Sequence, residues 1–180
     1  MCTIVVLSNN DGCIITRNKE AKALGIPELV PYFQVRDFVE KHCTVFSSNY
    51  ELYGDISARV MRLLEPYAVQ MEIYSIDEAF LSVYARDYKA HGQAIKDMLW
   101  KCVRMPVCVG IAPTKTLSKL ANKAAKKLPG LKGVCVLDTP EKWTWLLKRV
   151  KTSDIWGVGS RICDRLHQLG IHNALELAKA

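Results

Sequence analysis

The 180-residue sequence has no apolar run approaching the roughly 20 residues of a membrane-spanning helix. Its opening, MCTIVVLSNN, carries neither a basic leading segment nor a cleavage site. A membrane span and a secretory signal are therefore not expected, and the expected compartment is the cytoplasm. No C-x-x-C pair occurs, and the seven cysteines are an odd number, which argues against a zinc ribbon and against a disulfide framework. Cys13, Cys102, Cys108 and Cys135 fall in apolar patterns and read as reduced core thiols. No internal repeat or low-complexity tract is present. Acids are scarce in one region: between Ile111 and Lys151 only Asp138 and Glu141 stand against ten Lys or Arg. That region's excess of +8 accounts for the whole net charge of +7, and a basic surface so concentrated makes a polyanion a candidate partner.

What is present suits one compact domain or two small ones, with 49% hydrophobic residues to build a core. TIVVLSNNDGCIITRN predicts a β-hairpin around an Asn-Asn-Asp-Gly turn. NKEAKALGIP predicts a short helix stopped by Gly25 and Pro27. PYFQVRDFVEKH predicts another, inside an otherwise mixed stretch. Ile56, Val60, Leu63, Leu64 and Tyr67 predict a helix over 55–67 with Asp55 as its cap. MEIYSIDEAFLSVY predicts two strands, the spacing of Ile95, Met98, Leu99 and Cys102 a helix, and PVCVGIA a strand. The order over 55–111 is thus α-β-β-α-β, a βαββαβ ferredoxin-like unit without its first strand, and the fold class is α+β. TKTLSKLANKAAKKLPG predicts a helix with Leu117, Leu120, Ala121, Ala124 and Leu128 on one side and Lys115, Lys119, Lys123 and Lys126 on another. GVCVLD is a strand, and TPEKWTWLLKRV opens a helix with Thr139 as N-cap and Pro140 following.

Within the strand pair, Asp77 and Glu78 occupy a tight connection that contains no Gly, Asn or Pro. Acids between strands are most often solvated turn residues. Their placement here also suits metal-assisted phosphoryl transfer, which needs carboxylates close enough to hold divalent cations. A pure strand would send them to opposite faces, so shared binding needs a bend or a third acid from elsewhere. In IWGVGSRICDRLHQLGI, Gly157 and Gly159 flank Val158 ahead of a helix that carries Ile162, Leu166 and Leu169 and ends at Gly170. That is a helix-hairpin-helix pattern, whose glycines let backbone amides approach a phosphate, with a plain turn between packed helices as the alternative. The lysine stripe by itself reads as a solvated helix face.

YSIDEAF, VGIAPTKTLSKLANKAAKKLPG, IWGVGSRICDRLHQLGI and VVLSNNDGCIITRNKEAKALGI, taken together, closely resemble the Y-family translesion DNA polymerases. The last string resembles the UmuC branch, the catalytic subunit of bacterial polymerase V and its plasmid relatives. The resemblance runs in order over nearly the whole chain.

It implies fingers over residues 1–47, a ferredoxin-like palm over 48–137 and a helix-hairpin-helix thumb over 138–180. It implies that Asp77 and Glu78 are catalytic metal ligands for Mg²⁺, at the tip of a palm hairpin facing the primer end. Lys119 and Lys22 would contact the incoming triphosphate, and Lys19 stands where many relatives have tyrosine. Lys115, Lys123, Lys126, Gly157 and Gly159 would contact DNA. The implied partners are primer-template DNA and dNTP, then processed UmuD, the RecA filament and the sliding clamp. The implied function is error-prone synthesis across lesions in SOS mutagenesis. Relatives begin with a strand bearing D-x-N-x-F-Y, whose Asp is a third metal ligand. The sequence starts after it, Asp11 in the turn is no substitute, and the later little-finger domain is likewise not represented, so the chain alone is expected to be inactive. Two other readings stand beside this one: a non-catalytic DNA-binding or interaction module, and a ferredoxin-like nucleotide cyclase, which would not need the Gly-Val-Gly motif.

Overall fold

The computed structural model describes residues 2–180. The chain divides into two compact units, one reaching to Ala58 and the other running from Arg59 to Ala180. Among the described residues no helix is long and apolar enough to cross a membrane.

In the first unit, β1 (Ile4–Leu7) and β2 (Ile14–Arg17) pair antiparallel, as the hairpin pattern predicts. Asp11 takes the left-handed conformation that such a turn requires, at φ 53°. Asn18 caps α1 (Lys19–Ala23), accepting from the Ala21 amide at 3.0 Å. Gly25, at φ 76°, closes the helix with its amide on the Lys22 carbonyl. The second predicted helix is split into a 3-10 turn, Tyr32–Gln34, and α2 (Arg36–His42). A strand that the mixed stretch did not reveal, β3 (Thr44–Phe46), pairs parallel to β1 and makes β1 the middle strand of three. Val5, Leu7, Ile14, Ala21, Ile26 and Val39 form this unit's core.

α3 (Tyr50–Leu64) begins earlier than its apolar spacing suggested. Asp55 lies inside the helix, and the capping role falls to Asn49, whose side chain accepts from the Leu52 amide at 3.0 Å. The division between the units falls within α3.

The second unit contains β4 (Gln70–Ile73) and β5 (Ala79–Ser82), an antiparallel pair, then α4 (Tyr88–Val103) capped by Asp87. α4 buries Ile95 and Leu99 against Met61 and Leu64 of α3, with Met71, Leu81 and Val109 packed alongside. Cys102 is exposed on α4 rather than a core thiol, whereas Cys135 is buried and its thiol pKa is pushed up by that burial. β6 (Val109–Ile111), α5 (Lys115–Lys127) and β7 (Val134–Val136) form a parallel β-α-β unit. Gly110 lets α5 lie directly on β6, because a Cβ there would stand 2.2 Å from the Asn122 amide nitrogen and 2.3 Å from the Ser118 carbonyl oxygen. The α+β palm pattern without its first strand is thus present as two two-stranded ribbons, β4–β5 and β6–β7.

α6 (Pro140–Leu147) starts at the predicted Thr139 cap, and α7 (Ser160–Gln168) and α8 (Ala174–Lys179) follow. Leu120, Ala121, Ala124 and Ala125 of α5 share one core with Leu146, Leu147 and Ala174. Leu128, which the periodicity put on the apolar side of α5, is exposed at its end. α7 buries Cys163, while Ile162 and Leu169 face solvent. Gly170 ends it at φ 77°, with the Gly170 and Ile171 amides on the His167 and Leu166 carbonyls.

Candidate active site and nucleic-acid interface

The β4–β5 ladder runs from Gln70 opposite Ser82 to Ile73 opposite Ala79, and residues 74–78 join the strands. The Tyr74 and Ser75 amides both donate to the Glu78 carbonyl, at 3.0 and 3.1 Å, which closes the loop from within. None of its residues has a positive φ. A connection of this length needs no Gly or Asn, so the tight turn expected from the sequence is a wider loop.

Asp77 and Glu78 diverge in their surroundings. The Asp77 carboxylate is exposed and accepts from the Ser75 hydroxyl at 2.7 Å. Glu78 is half-buried, and its carboxylate accepts from Lys119 Nζ at 3.0 Å. Lys119 reaches the loop from the second turn of α5, a position that depends on the close seating of α5 over Gly110. The Lys119 ammonium also lies 4.4 Å from the Tyr74 ring centroid and 5.2 Å from that of Trp156. Such contacts contribute about 0.5–1 kcal/mol at exposed sites and more when desolvated.

The lysine stripe is engaged along most of its length. Lys115 donates to Glu72 on β4 at 2.5 Å, Lys119 to Glu78, and Lys123 to Asp154 at 2.6 Å. Lys126 is exposed in the last turn of α5. Lys123 holds the Asp154 carboxyl below the usual range, helped by the charges of Lys127 and Lys151. A phosphate that recruits Lys115, Lys119 or Lys123 has to displace a carboxylate first.

Asp154 lies in the 3-10 turn Thr152–Asp154, just before the glycine pair. The Val158 amide donates to the Ile155 carbonyl at 3.0 Å, and Gly157 takes φ 87°. Gly159 is the N-cap of α7, whose first-turn amides receive no side-chain cap. A Cβ built on either glycine meets nothing within 4 Å, so both backbones face open space. Free amides at a helix start are the elementary anion-binding arrangement. In the first unit, Lys22 is exposed in the last turn of α1 and Lys19 is exposed at its start.

The impB/mucB/samB family pattern matches residues 2–123. The chain belongs to the impB/mucB/samB family. It is 47% identical over 182 residues to Protein UmuC of Salmonella typhimurium and 44% identical over 185 residues to Protein ImpB of the same species. Each alignment covers 98% of this chain and 43% of the relative, so this family member spans less than half the length of these curated relatives. DNA polymerase IV of Saccharolobus solfataricus is 28% identical over 181 residues, covering 98% of this chain and half of that protein. Among solved structures, an insertion ternary complex of Dbh DNA polymerase matches with a TM-score of 0.80 at 27% identity, over 95% of this chain and 51% of that one. DinB from Sulfolobus solfataricus matches with a TM-score of 0.79, also at 27% identity, over 99% of this chain and 53% of that one.

Family likeness to DNA polymerases raises the question of a divalent metal. Among the described residues no three His, Cys, Asp or Glu side chains gather in a way that suits a metal ion. Asp77 and Glu78 contribute two carboxylates, one already neutralised by Lys119, and this set does not amount to a two-cation cage.

Sequence reasoning did not single out Tyr74, Trp156, Glu72 or Asp154 as site residues. The signal for Trp156 was its place in IWGVG, an aromatic residue directly before the glycine pair. Its partner Tyr74 is 82 positions away, beyond the reach of local pattern.

Proposed function

We propose that this chain forms the fingers, palm and thumb portion of a UmuC-like translesion DNA polymerase, with boundaries near residues 47 and 137. The whole protein would carry out template-directed nucleotidyl transfer in SOS mutagenesis, in the cytoplasm and with Mg²⁺. The observation that carries this reading is the 3.0 Å contact of Lys119 with Glu78, which brings the S-I-D-E loop and the G-I-x-x-x-K-x-x-x-K helix to one site. Asp77 and Glu78 are the proposed acids, with Lys119 and Lys22 as triphosphate ligands. Lys115, Lys123, Lys126, Gly157 and Gly159 are the proposed DNA contacts, and primer-template DNA and dNTP the immediate partners. Processed UmuD, the RecA filament and the sliding clamp are proposed from family likeness alone.

Positioning and charge stabilisation supply nearly all the catalysis in phosphoryl transfer, and Asp77 with Glu78 supplies only part of what a two-cation reaction needs. Primer extension by three proteins tests the proposal: this chain, the chain extended at its start by a relative's D-x-N-x-F-Y strand, and the extended chain with Asp77→Ala. The expected result is no incorporation by the first, template-dependent incorporation by the second and loss of it in the third. Incorporation that survives Asp77→Ala would remove the acidic loop from the chemistry. DNA affinity with no incorporation, even after a little-finger domain is also supplied, would favour a non-catalytic DNA-binding module.

A further inference from the structure

Trp156 enters the glycine hairpin from the thumb side, yet its partners belong to three other elements: Tyr74 on the acidic loop, Phe80 on β5 and Lys119 on α5. The indole Nε1 donates to the Tyr74 hydroxyl at 3.1 Å, and the two rings meet edge to face at 5.5 Å between centroids. Phe80 completes a three-ring cluster, 5.6 Å from Tyr74 and 5.8 Å from Trp156. Lys119 extends between two of these rings to Glu78. A lysine side chain has many rotamers of similar energy, so a defined position has to be imposed by its surroundings. Here two aromatic walls and one carboxylate impose it. The neighbouring Asp77 carboxylate accepts from the Ser75 hydroxyl, and Lys115 pairs with Glu72 beside the Phe80 face, which leaves Lys119 as the lysine on Glu78.

We infer that Trp156 is a positioning residue: through Tyr74 it holds the Lys119 ammonium between the ring walls and Glu78, and so governs how Lys119 is delivered to a polyphosphate anion. This rests on the polymerase reading for the role of Lys119, while the placement of the lysine stands independently of it. Because Trp156 directly precedes Gly157, any shift of the hairpin on meeting a nucleic-acid phosphate also moves one wall of the Lys119 cage.

The test uses the full chain and two readouts. The first is the proton NMR signal of the Lys119 ε-methylene, assigned with Lys119→Arg and expected upfield of other lysines because the ammonium it carries lies over the Tyr74 and Trp156 rings. That shift should shrink in Trp156→Ala, which leaves only the Tyr74 ring, and persist in Trp156→Phe and Tyr74→Phe, which keep both ring walls. The second is calorimetric titration with inorganic triphosphate in the absence of divalent cations. Trp156→Ala should weaken binding about threefold to tenfold, the equivalent of losing a cation–π wall, with Trp156→Phe within about twofold of the parent. An unshifted lysine signal in the parent, a shift unchanged in Trp156→Ala, or equal triphosphate affinity in the two would overturn the inference. A parent chain that binds no triphosphate, although its shifted signal shrinks in Trp156→Ala, would overturn the polymerase role of Lys119 while leaving its placement established. Should Trp156→Ala fail to fold, Tyr74→Ala compared with Tyr74→Phe puts the same question to the opposite wall.

Discussion

Lys123 donates to Asp154 across 2.6 Å, joining the middle of α5 to the turn that precedes the glycine hairpin. Both side chains are more than a third exposed, so screening by solvent keeps the pair within about 1 kcal/mol of stability. The Asp154 carboxyl titrates below its ordinary value in the folded chain. Its contribution is therefore complete above the ordinary aspartate value of about 3.9 and is lost as pH falls through the lower folded value. Asp154→Asn should lower the melting temperature slightly at pH 7, and the difference from the parent should vanish in strong acid. Melts recorded across that range check it, and a difference that persists undiminished into strong acid would separate the effect from this ion pair.

DNA binding by the chain should be non-specific and salt-dependent, since the proposed contacts are lysines and backbone amides that meet phosphates. Each phosphate neutralised adds about 0.9 to the logarithmic salt slope. Lys126→Ala should reduce the slope by up to that amount. Replacing Lys115, Lys119, Lys123 and Lys126 together should flatten it further, though less than four times as much, because three of them must first leave Glu72, Glu78 and Asp154. A slope unchanged in the quadruple variant would make the stripe a solvated face.

Gly157 and Gly159 should respond differently to substitution. Gly157 sits at φ 87°, so Gly157→Val imposes backbone strain of about 1–2 kcal/mol whatever the space around it. Gly159 has φ −82° and open surroundings, so Gly159→Ala should fold as the parent does. Loss of DNA affinity in folded Gly159→Ala would therefore report obstruction of a phosphate's approach. Parent-like affinity would take Gly159 out of the interface.

Gly110→Ala should be the more damaging glycine change for the fold, because its Cβ would collide with backbone rather than with a movable side chain. Overpacking of this kind typically costs about 1–3 kcal/mol and can cost more where the backbone itself must shift. Urea denaturation should show the loss directly, and a parent-like midpoint would mean that α5 can lift from β6 without penalty.

Most helices were legible because one face repeats at helical spacing, and the Thr139 end because its capping chemistry is local; the Asn18 and Asp87 caps were not singled out. The start of α3 misled because Asp55 precedes the clearest apolar run, whereas Asn49 caps a first turn whose Tyr50, Leu52 and Tyr53 are exposed and show no stripe. β3 escaped notice because Thr44–Phe46 is too short for an alternation to register, and its pairing with β1 is a long-range choice. Asp77, Glu78 and Lys119 were legible as motif residues. The carboxylate opposite each lysine was not, because Glu72, Glu78 and Asp154 approach α5 from 43, 41 and 31 positions away in the chain. Ring contacts around Trp156 were hidden for the same reason.

The acids ride on the β4–β5 ribbon and Lys119 on the helix seated over β6–β7, and no ladder of hydrogen bonds joins the two ribbons among the described residues. What holds them together is the greasy upper face of α4, with Met71 and Leu81 of one ribbon and Val109 of the other resting on Ile95 and Leu99. A shared sheet would fix their register through backbone hydrogen bonds, whereas here the fit of side-chain shapes alone sets it. The approach of carboxylate to ammonium therefore rests on side-chain fit beneath the two ribbons, and a methylene removed from Leu99 is felt at Lys119.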